Sequence, residues 1–254
     1  MKTSENNICF FCIFISIIVL YIIYFCTEHN ESSIVSTTTR TLENDGFKVF
    51  KYDDFENVGK NPPTEFTEPV LQFLGNDYKF MDYSYAIKNA TLSTFHRDVT
   101  SSRYLYNCKH PIYTLILYKY EGCLLSICPA SNYSYPFVYS QIVNISGPAG
   151  TCFLFHCDLL HAGCFNNCKE RDIIQYKIVH KDDVEYFPHL QNVHVEKKEN
   201  NCEDTYYNHF LRKSSYFFEL PINTIFSPFL QKKEQGGIVG HLQDYSSINF
   251  YNNI

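Results

Sequence analysis

The sequence predicts a mainly β protein, a two-sheet sandwich or jelly roll with flanking helices, preceded by one transmembrane helix. Three observations predict it. Between Leu92 and His180 six short runs, TLSTFHRDV, PIYTLILYKY, GCLLSICP, FVYSQIVNI, GTCFLFHCDLLHAG and RDIIQYKIV, follow one another across Gly, Pro, Asn and Ser clusters. No helical pattern intervenes, which argues against a βαβ fold. Gly46 to Tyr52 alternates apolar and polar residues with period two, as a half-buried strand does. From Ile8 to Cys26 the chain carries 19 residues without a charge, and a helix needs about 20 to cross ~30 Å of hydrocarbon.

Taken in order, residues 1–7 are a short N-terminal tail and 8–26 the membrane anchor. A cleaved signal peptide, which would leave a secreted product, is the alternative; it would have an apolar core of about 7–15 residues and a small-x-small site, and neither precedes Cys26-Thr27-Glu28. Lys2 and the terminal amine lie before the span, Glu28, His29 and Glu31 after it, and no basic residue appears until Arg40. That charge order predicts a cytosolic N-terminus and a lumenal or extracellular body, a type II single-pass arrangement. All four N-x-[ST] sequons, at Asn30, Asn89, Asn132 and Asn144, fall on the same side, as expected of a glycoprotein. Beyond the span lie Cys108, Cys123, Cys128, Cys152, Cys157, Cys164, Cys168 and Cys202, an even number suited to disulfides in an oxidising compartment. Eight cysteines allow about 105 pairings, so connectivity stays open. Buried thiols of a cytosolic domain, or zinc held by Cys164 and Cys168 with a nearby His, are the alternatives.

Residues 27–40, Ser/Thr-rich and aperiodic, read as a stalk. The β domain occupies 41–184. Within it Glu68 to Phe80 can form a short helix, since Val70, Phe73 and Leu74 share a face. Residues 185–254 read as a C-terminal extension with a Tyr/Phe patch between Tyr206 and Phe218, packed on the β domain. A chain of 254 residues with 45% hydrophobic content can build a sizeable core, while a net charge of −6 offers no basic footprint for nucleic acid.

Chemistry concentrates in a few residues. On a strand, residues i and i+2 project from one face, so His96 and Asp98 can point at one ion. The pattern is cheap, because H-x-[DE] also begins at His29, His156, His180 and His194. A non-haem Fe(II) site needs two neutral imidazoles and one carboxylate on one side of the metal, leaving other positions open. His161, at the end of the apolar run CFLFHCDLLH, can supply the third ligand from a distant strand. Arg171, one of only five arginines, follows ten residues later and can grip a carboxylate with its rigid fork. His156 and Asp158 are an alternative dyad, although the arginine after Arg171 is Arg212, past most of the β-rich part. On the Arg171 strand, Ile174, Tyr176 and Ile178 form the clean apolar face, so Arg171 shares the other face with Ile173, Gln175 and Lys177. The apolar face would then point outward against helices.

The series GFKVF near residue 46, HRD at 96, GCLLSICPAS at 122, GTCFLFHCDLLHAG at 150 and Arg171 resembles the phytanoyl-CoA dioxygenase branch of the Fe(II)/2-oxoglutarate oxygenases, over about residues 41 to 182 and in matching order. The resemblance implies a double-stranded β-helix with iron held by His96, Asp98 and His161 as the catalytic centre. It implies Arg171 on the distal carboxylate of 2-oxoglutarate, O2 as the oxidant and ascorbate as an accessory reductant. Arg97 stands where the family usually has Gln, and Ala130 and Asn132 replace the Gly and His of its P-G-S-H segment. These departures and the anchor turn the expected substrate from an acyl-CoA thioester toward a polypeptide, with lipid and glycan open. The rival expectation is an anchored, glycosylated jelly-roll binding module without iron chemistry.

Overall fold

The computed structural model describes residues 10–20, 28–32, 39–89, 94–135, 140–164, 170–198, 206, 209, 210, 212, 213, 215 and 216. Along these the strands are β1 (His29–Ser32), β2 (Phe47–Lys51), β3 (Tyr78–Phe80), β4 (Tyr83–Lys88), β5 (Tyr113–Tyr118), β6 (Gly122–Ile127), β7 (Val143–Gly147), β8 (Thr151–His156), β9 (His161–Gly163), β10 (Asp172–His180) and β11 (Val193–Lys198). Residues 10–20 are helical (α1), followed by α2 (Leu42–Asp45), α3 (Thr64–Leu74) and α4 (Arg103–Tyr106). The larger sheet runs β11-β4-β10-β5-β8-β2 with β3 paired to β10, and the smaller runs β1-β7-β6-β9.

Period-two alternation builds this sandwich. From the larger sheet Phe47, Val49, Ile116, Tyr118, Phe153, Phe155 and Ile173 point inward, where they meet Leu125, Ile127, Val143 and Ile145 of the smaller sheet. The opposite faces of the same strands carry Leu115, Leu117, Cys152, Leu154, Ile174, Tyr176 and Ile178, which pack against Phe66 and Val70 of α3. Both faces of the central strands are therefore covered, which is why β5 is buried at all six positions. Each fully buried Leu or Phe in these layers stabilises the fold by about 1.5–3 kcal/mol. The outward apolar face expected for the Arg171 strand is found, and Arg171, Ile173 and Lys177 lie on the inward side.

Several expectations need correction. The helix covers Thr64–Leu74 rather than 68–80: it ends at Gly75, whose φ of 109° suits glycine, and Tyr78–Phe80 pairs with β10 as a strand. Its buried residues are Phe66 and Val70, one turn apart, while Phe73 is exposed beneath the Lys48 ammonium at 4.0 Å. The 27–40 stretch is not simply a stalk, because His29–Ser32 pairs in parallel with β7. Arg40 then ties it back, reaching Glu31 at 2.5 Å and Asp45 at 2.8 Å. In the 185–254 extension Val193–Lys198 joins the larger sheet beside β4, while Arg212 and Tyr216 are buried on the side of the smaller sheet, Arg212 donating to the Gly163 carbonyl of β9 and Tyr216 packing with Phe95 and Ala162; most of the remainder lies outside the described residues.

The run from Thr91 to Val99 is not a regular strand where it is described. His96 forms one isolated bridge, and a 3-10 turn begins at Val99. In the run Phe137–Ile145, residues 136–139 lie outside the described residues and the strand begins at Val143. Cys123 and Cys164 form a disulfide, which removes Cys164 from any zinc site. Cys108, Cys128, Cys152 and Cys157 are buried thiols, and Cys168 and Cys202 lie outside the described residues. α1 exposes Phe10, Phe11, Ile13, Phe14, Ile17 and Leu20. Among the described residues no helix is long and apolar enough to cross a membrane, and the rest of the 8–26 segment lies outside them.

Candidate metal centre

The backbone brings the distant ligands together before the side chains do. His96 and His161 exchange both amide hydrogen bonds, His96 N–H to His161 C=O at 2.9 Å and the reverse at 3.1 Å. The Asp98 amide donates to the Cys157 carbonyl at 2.9 Å. Between the two, Arg97 points away and is buried; it donates to the carbonyls of Asp158 at 2.7 Å and Ser131 at 3.2 Å, clamping the segment to two neighbouring turns. That anchoring role accounts for a long cation at this position.

The expected trio converges. His96, Asp98 and His161 place their ligating atoms within 4.8 Å of one another. Nε2 of His96 and Nε2 of His161 lie 3.8 and 3.9 Å from the same oxygen, Asp98 Oδ1. Each separation is less than twice a metal–ligand bond of about 2.1 Å. Nδ1 of His96 lies 2.8 Å from the Thr94 carbonyl and Nδ1 of His161 2.9 Å from that of Leu159. A carbonyl only accepts, so both rings carry the proton on Nδ1 and turn an Nε2 lone pair toward Asp98. Burial, with His96 nearby, lowers the His161 pKa to about 4, which keeps its imidazole neutral as a metal ligand must be. The other carboxylate oxygen, Asp98 Oδ2, accepts from Thr114 Oγ1 at 2.5 Å and Lys177 Nζ at 2.7 Å. Burial would raise the Asp98 pKa, but the Lys177 ammonium holds it well below the carboxylate range.

The trio is graded in exposure: the His96 side chain is 46% exposed, those of Asp98 and His161 are 8% and 4%. The site therefore opens on the His96 side. Arg171 is buried on Gly163, where an added Cβ would stand 2.0 Å from Nη2 and 2.8 Å from Cζ. Only glycine permits that approach. The donor set suits a divalent non-haem metal, and Gly163, two residues beyond His161, makes room for the Arg171 guanidinium.

The alternative dyad does not converge. Asp158 accepts from the Ser102 hydroxyl and from the Arg103 amide at 3.0 Å, capping α4, while His156 packs on Tyr113 with centroids 4.9 Å apart. A second grouping, His110, His180 and Asp183, does not suit an ion. Its imidazoles stack at 3.5 Å with planes 20° apart, so their lone pairs lie in separate, nearly parallel planes, and Asp183 already accepts from the amides of Lys109 and His110. Of the sequons, Asn132 is buried beside Gly46, whose φ of 80° and lack of Cβ make room for its Oδ1, and Asn144 donates to Glu28 at 2.7 Å. Sequence reasoning missed Thr114 and Lys177. Lys177 was legible only as a lone cation on the Arg171 face.

No known family model matches the chain, and no curated protein matches it. Solved structures similar to it include the non-heme alpha ketoglutarate dependent epimerase SnoN from nogalamycin biosynthesis, at 12% identity over 55% of this chain and 79% of that one, with a TM-score of 0.37. EvdO2 from Micromonospora carbonacea var. aurantiaca is 8% identical over 55% and 88%, with a TM-score of 0.38. ThoJ, described as a non-heme monooxygenase, is 14% identical over 45% and 51%, with a TM-score of 0.36.

Proposed function

We propose that this chain is a membrane-anchored Fe(II)- and 2-oxoglutarate-dependent oxygenase that hydroxylates a substrate presented near the membrane. One observation carries the reading: His96 and His161 aim Nε2 at the Asp98 oxygen that Thr114 and Lys177 leave open, and Gly163, two residues along the strand from His161, cradles a buried arginine. His96, Asp98 and His161 would hold the iron from one side, leaving its other positions for co-substrate and O2. Arg171 would pair with the far carboxylate of 2-oxoglutarate and so fix its keto-acid end toward the three ligands. Iron with 2-oxoglutarate and O2 supplies the oxidising power for C–H hydroxylation, releasing succinate and CO2. Phe155, whose ring lies 4.6 Å from that of His161, shields the inner side from water, and the exposed edge of His96 leaves the outer side for substrate.

The motif order from GFKVF to Arg171 supports the phytanoyl-CoA dioxygenase branch. Asn132, buried where that branch carries a histidine, supports a substrate other than a CoA thioester, and a polypeptide or lipid at the membrane fits the open His96 side. The uncharged 8–26 segment, the apolar exposure of α1 and the charges at 28–31 support the anchor and a lumenal body.

The test uses the full chain in detergent with Fe(II), ascorbate and 2-oxoglutarate over a peptide, lipid and glycan panel. Succinate formation that His96→Ala abolishes is the expected result. Well-folded protein that takes up no iron under anaerobic loading would overturn the reading and leave a tethered binding module.

A further inference from the structure

Lys177 is 1% exposed, on the inward face of β10. Its Nζ lies 2.7 Å from Asp98 Oδ2, 2.8 Å from Thr114 Oγ1 and 3.8 Å from the Cys157 thiol. Burying an ammonium is costly unless it is paired, and here the partner is the carboxylate whose other oxygen faces both imidazoles. Thr114 already supplies Oδ2 with a neutral hydrogen bond at 2.5 Å. Lys177 therefore adds something that a second neutral donor would not, namely a unit of positive charge in a water-poor interior. Its close pairing with the Asp98 carboxylate at 2.7 Å, with Thr114 Oγ1 as a second acceptor at 2.8 Å, is the geometry of a charged ammonium.

The charge count has a chemical consequence. A divalent ion held by two neutral imidazoles and one carboxylate carries a net charge of about +1 with its ligands, and a neighbouring ammonium brings the group to about +2. We propose, resting on the metal reading above, that Lys177 is a positioning residue. It binds Asp98 through Oδ2 so that Oδ1 alone faces the metal, and it sets the charge of the centre so that dianionic chelators, dicarboxylates above all, are its preferred ligands. Arg171 acts on the far end of such a ligand; Lys177 acts on the end that meets the metal.

The two arginine and lysine roles separate with a probe that has no far end. Mn(II) serves as the test ion and oxalate as the chelating dianion, with the full chain in detergent and binding read by calorimetry. Lys177→Met keeps the bulk of the stem and removes the charge. It should bind Mn(II) at least as tightly as the unaltered chain, because a buried positive charge near the ion is gone. Its Mn(II)-loaded form should bind oxalate tenfold or more weakly, the size expected for one unit charge about 7 Å from a bound anion at an effective dielectric of about 20. Arg171→Met should leave oxalate unchanged and weaken 2-oxoglutarate. If Met is not accommodated, Lys177→Gln, which keeps a donor, must show the same pair of shifts. Oxalate affinity within about threefold of the unaltered chain, or loss of Mn(II) binding in a folded variant, overturns the inference and leaves Lys177 as a packing group. Absence of Mn(II) binding in the unaltered chain is a different result, and it overturns the metal reading together with this one.

Discussion

Gly163→Ala tests the proposed carboxylate-binding role of Arg171 without replacing a charged residue or a candidate metal ligand. The added Cβ would stand 2.0 Å from Arg171 Nη2, 2.8 Å from Cζ and 3.0 Å from Nη1, against ordinary contact at 3.4 Å and beyond. The guanidinium must retreat by about 1.4 Å, which takes a charge-assisted hydrogen bond of about 2.8 Å far outside bonding range. Losing one such bond to a carboxylate is worth about 1.5–3 kcal/mol, so 2-oxoglutarate should bind about 10- to 150-fold more weakly. The crowding itself should cost stability of about 1–3 kcal/mol, since Gly163 is buried and its carbonyl also accepts from Arg212 at 2.6 Å. Calorimetry of the Mn(II)-loaded chain with 2-oxoglutarate and with oxalate reads the effect. The first should weaken and the second should not. Equal losses for the two ligands, or unchanged 2-oxoglutarate binding, would refute the placement of the far carboxylate on Arg171.

Asp98→Asn and His161→Ala should each lower Mn(II) affinity by tenfold or more, read by the loss of bound-ion signal in electron paramagnetic resonance. Removing the Cys123–Cys164 bridge, which spans 41 residues, should cost about 3–4 kcal/mol, seen as a lower urea midpoint after reduction or in the Cys123→Ser, Cys164→Ser pair. Burial lowers the His156 pKa from 6.5 to about 4, so its contribution to stability is fully present above about pH 6.5 and is lost as pH falls through about 4. His156→Phe should therefore shrink the fall in urea midpoint between pH 7.5 and 4, compared at each pH with the unaltered chain because Asp158, raised to about 6 by burial, titrates in the opposite sense. Glycopeptide mass spectrometry of secretory-pathway material should find Asn132 bare, since the residue is only 4% exposed.

IYTLILY, CFLFH and much of DIIQYKIV read as near-continuous apolar runs because these strands bury both faces, so the strands and the core could be read directly. His96, Asp98 and His161 stood out by donor type together with the order of the resemblance, and the fold brings their ligating atoms within 4.8 Å of one another. The bridge that joins His96 to His161 is a tertiary pairing of two irregular segments, and no local periodicity announces it. Lys177 escaped notice for the same reason: its partner Asp98 is 79 residues away, and pairing across that distance leaves no mark in either neighbourhood. Polar composition misled at 27–40 because an edge strand paired on one side needs no apolar run. The helix boundary slipped because Pro63 and Gly75 punctuate it more firmly than the apolar face does.

The pairing of His29–Ser32 with β7 decides where this chain can be cut. A fragment begun at Thr41, as polarity alone would advise, loses the strand that caps the smaller sheet and lays bare the hydrogen-bonding groups of Val143 to Ser146. Such a raw border invites association with other copies. The shortest piece with its own margins intact begins at Glu28, which also retains the Glu28 contact to Asn144, and expression trials of the body should start there.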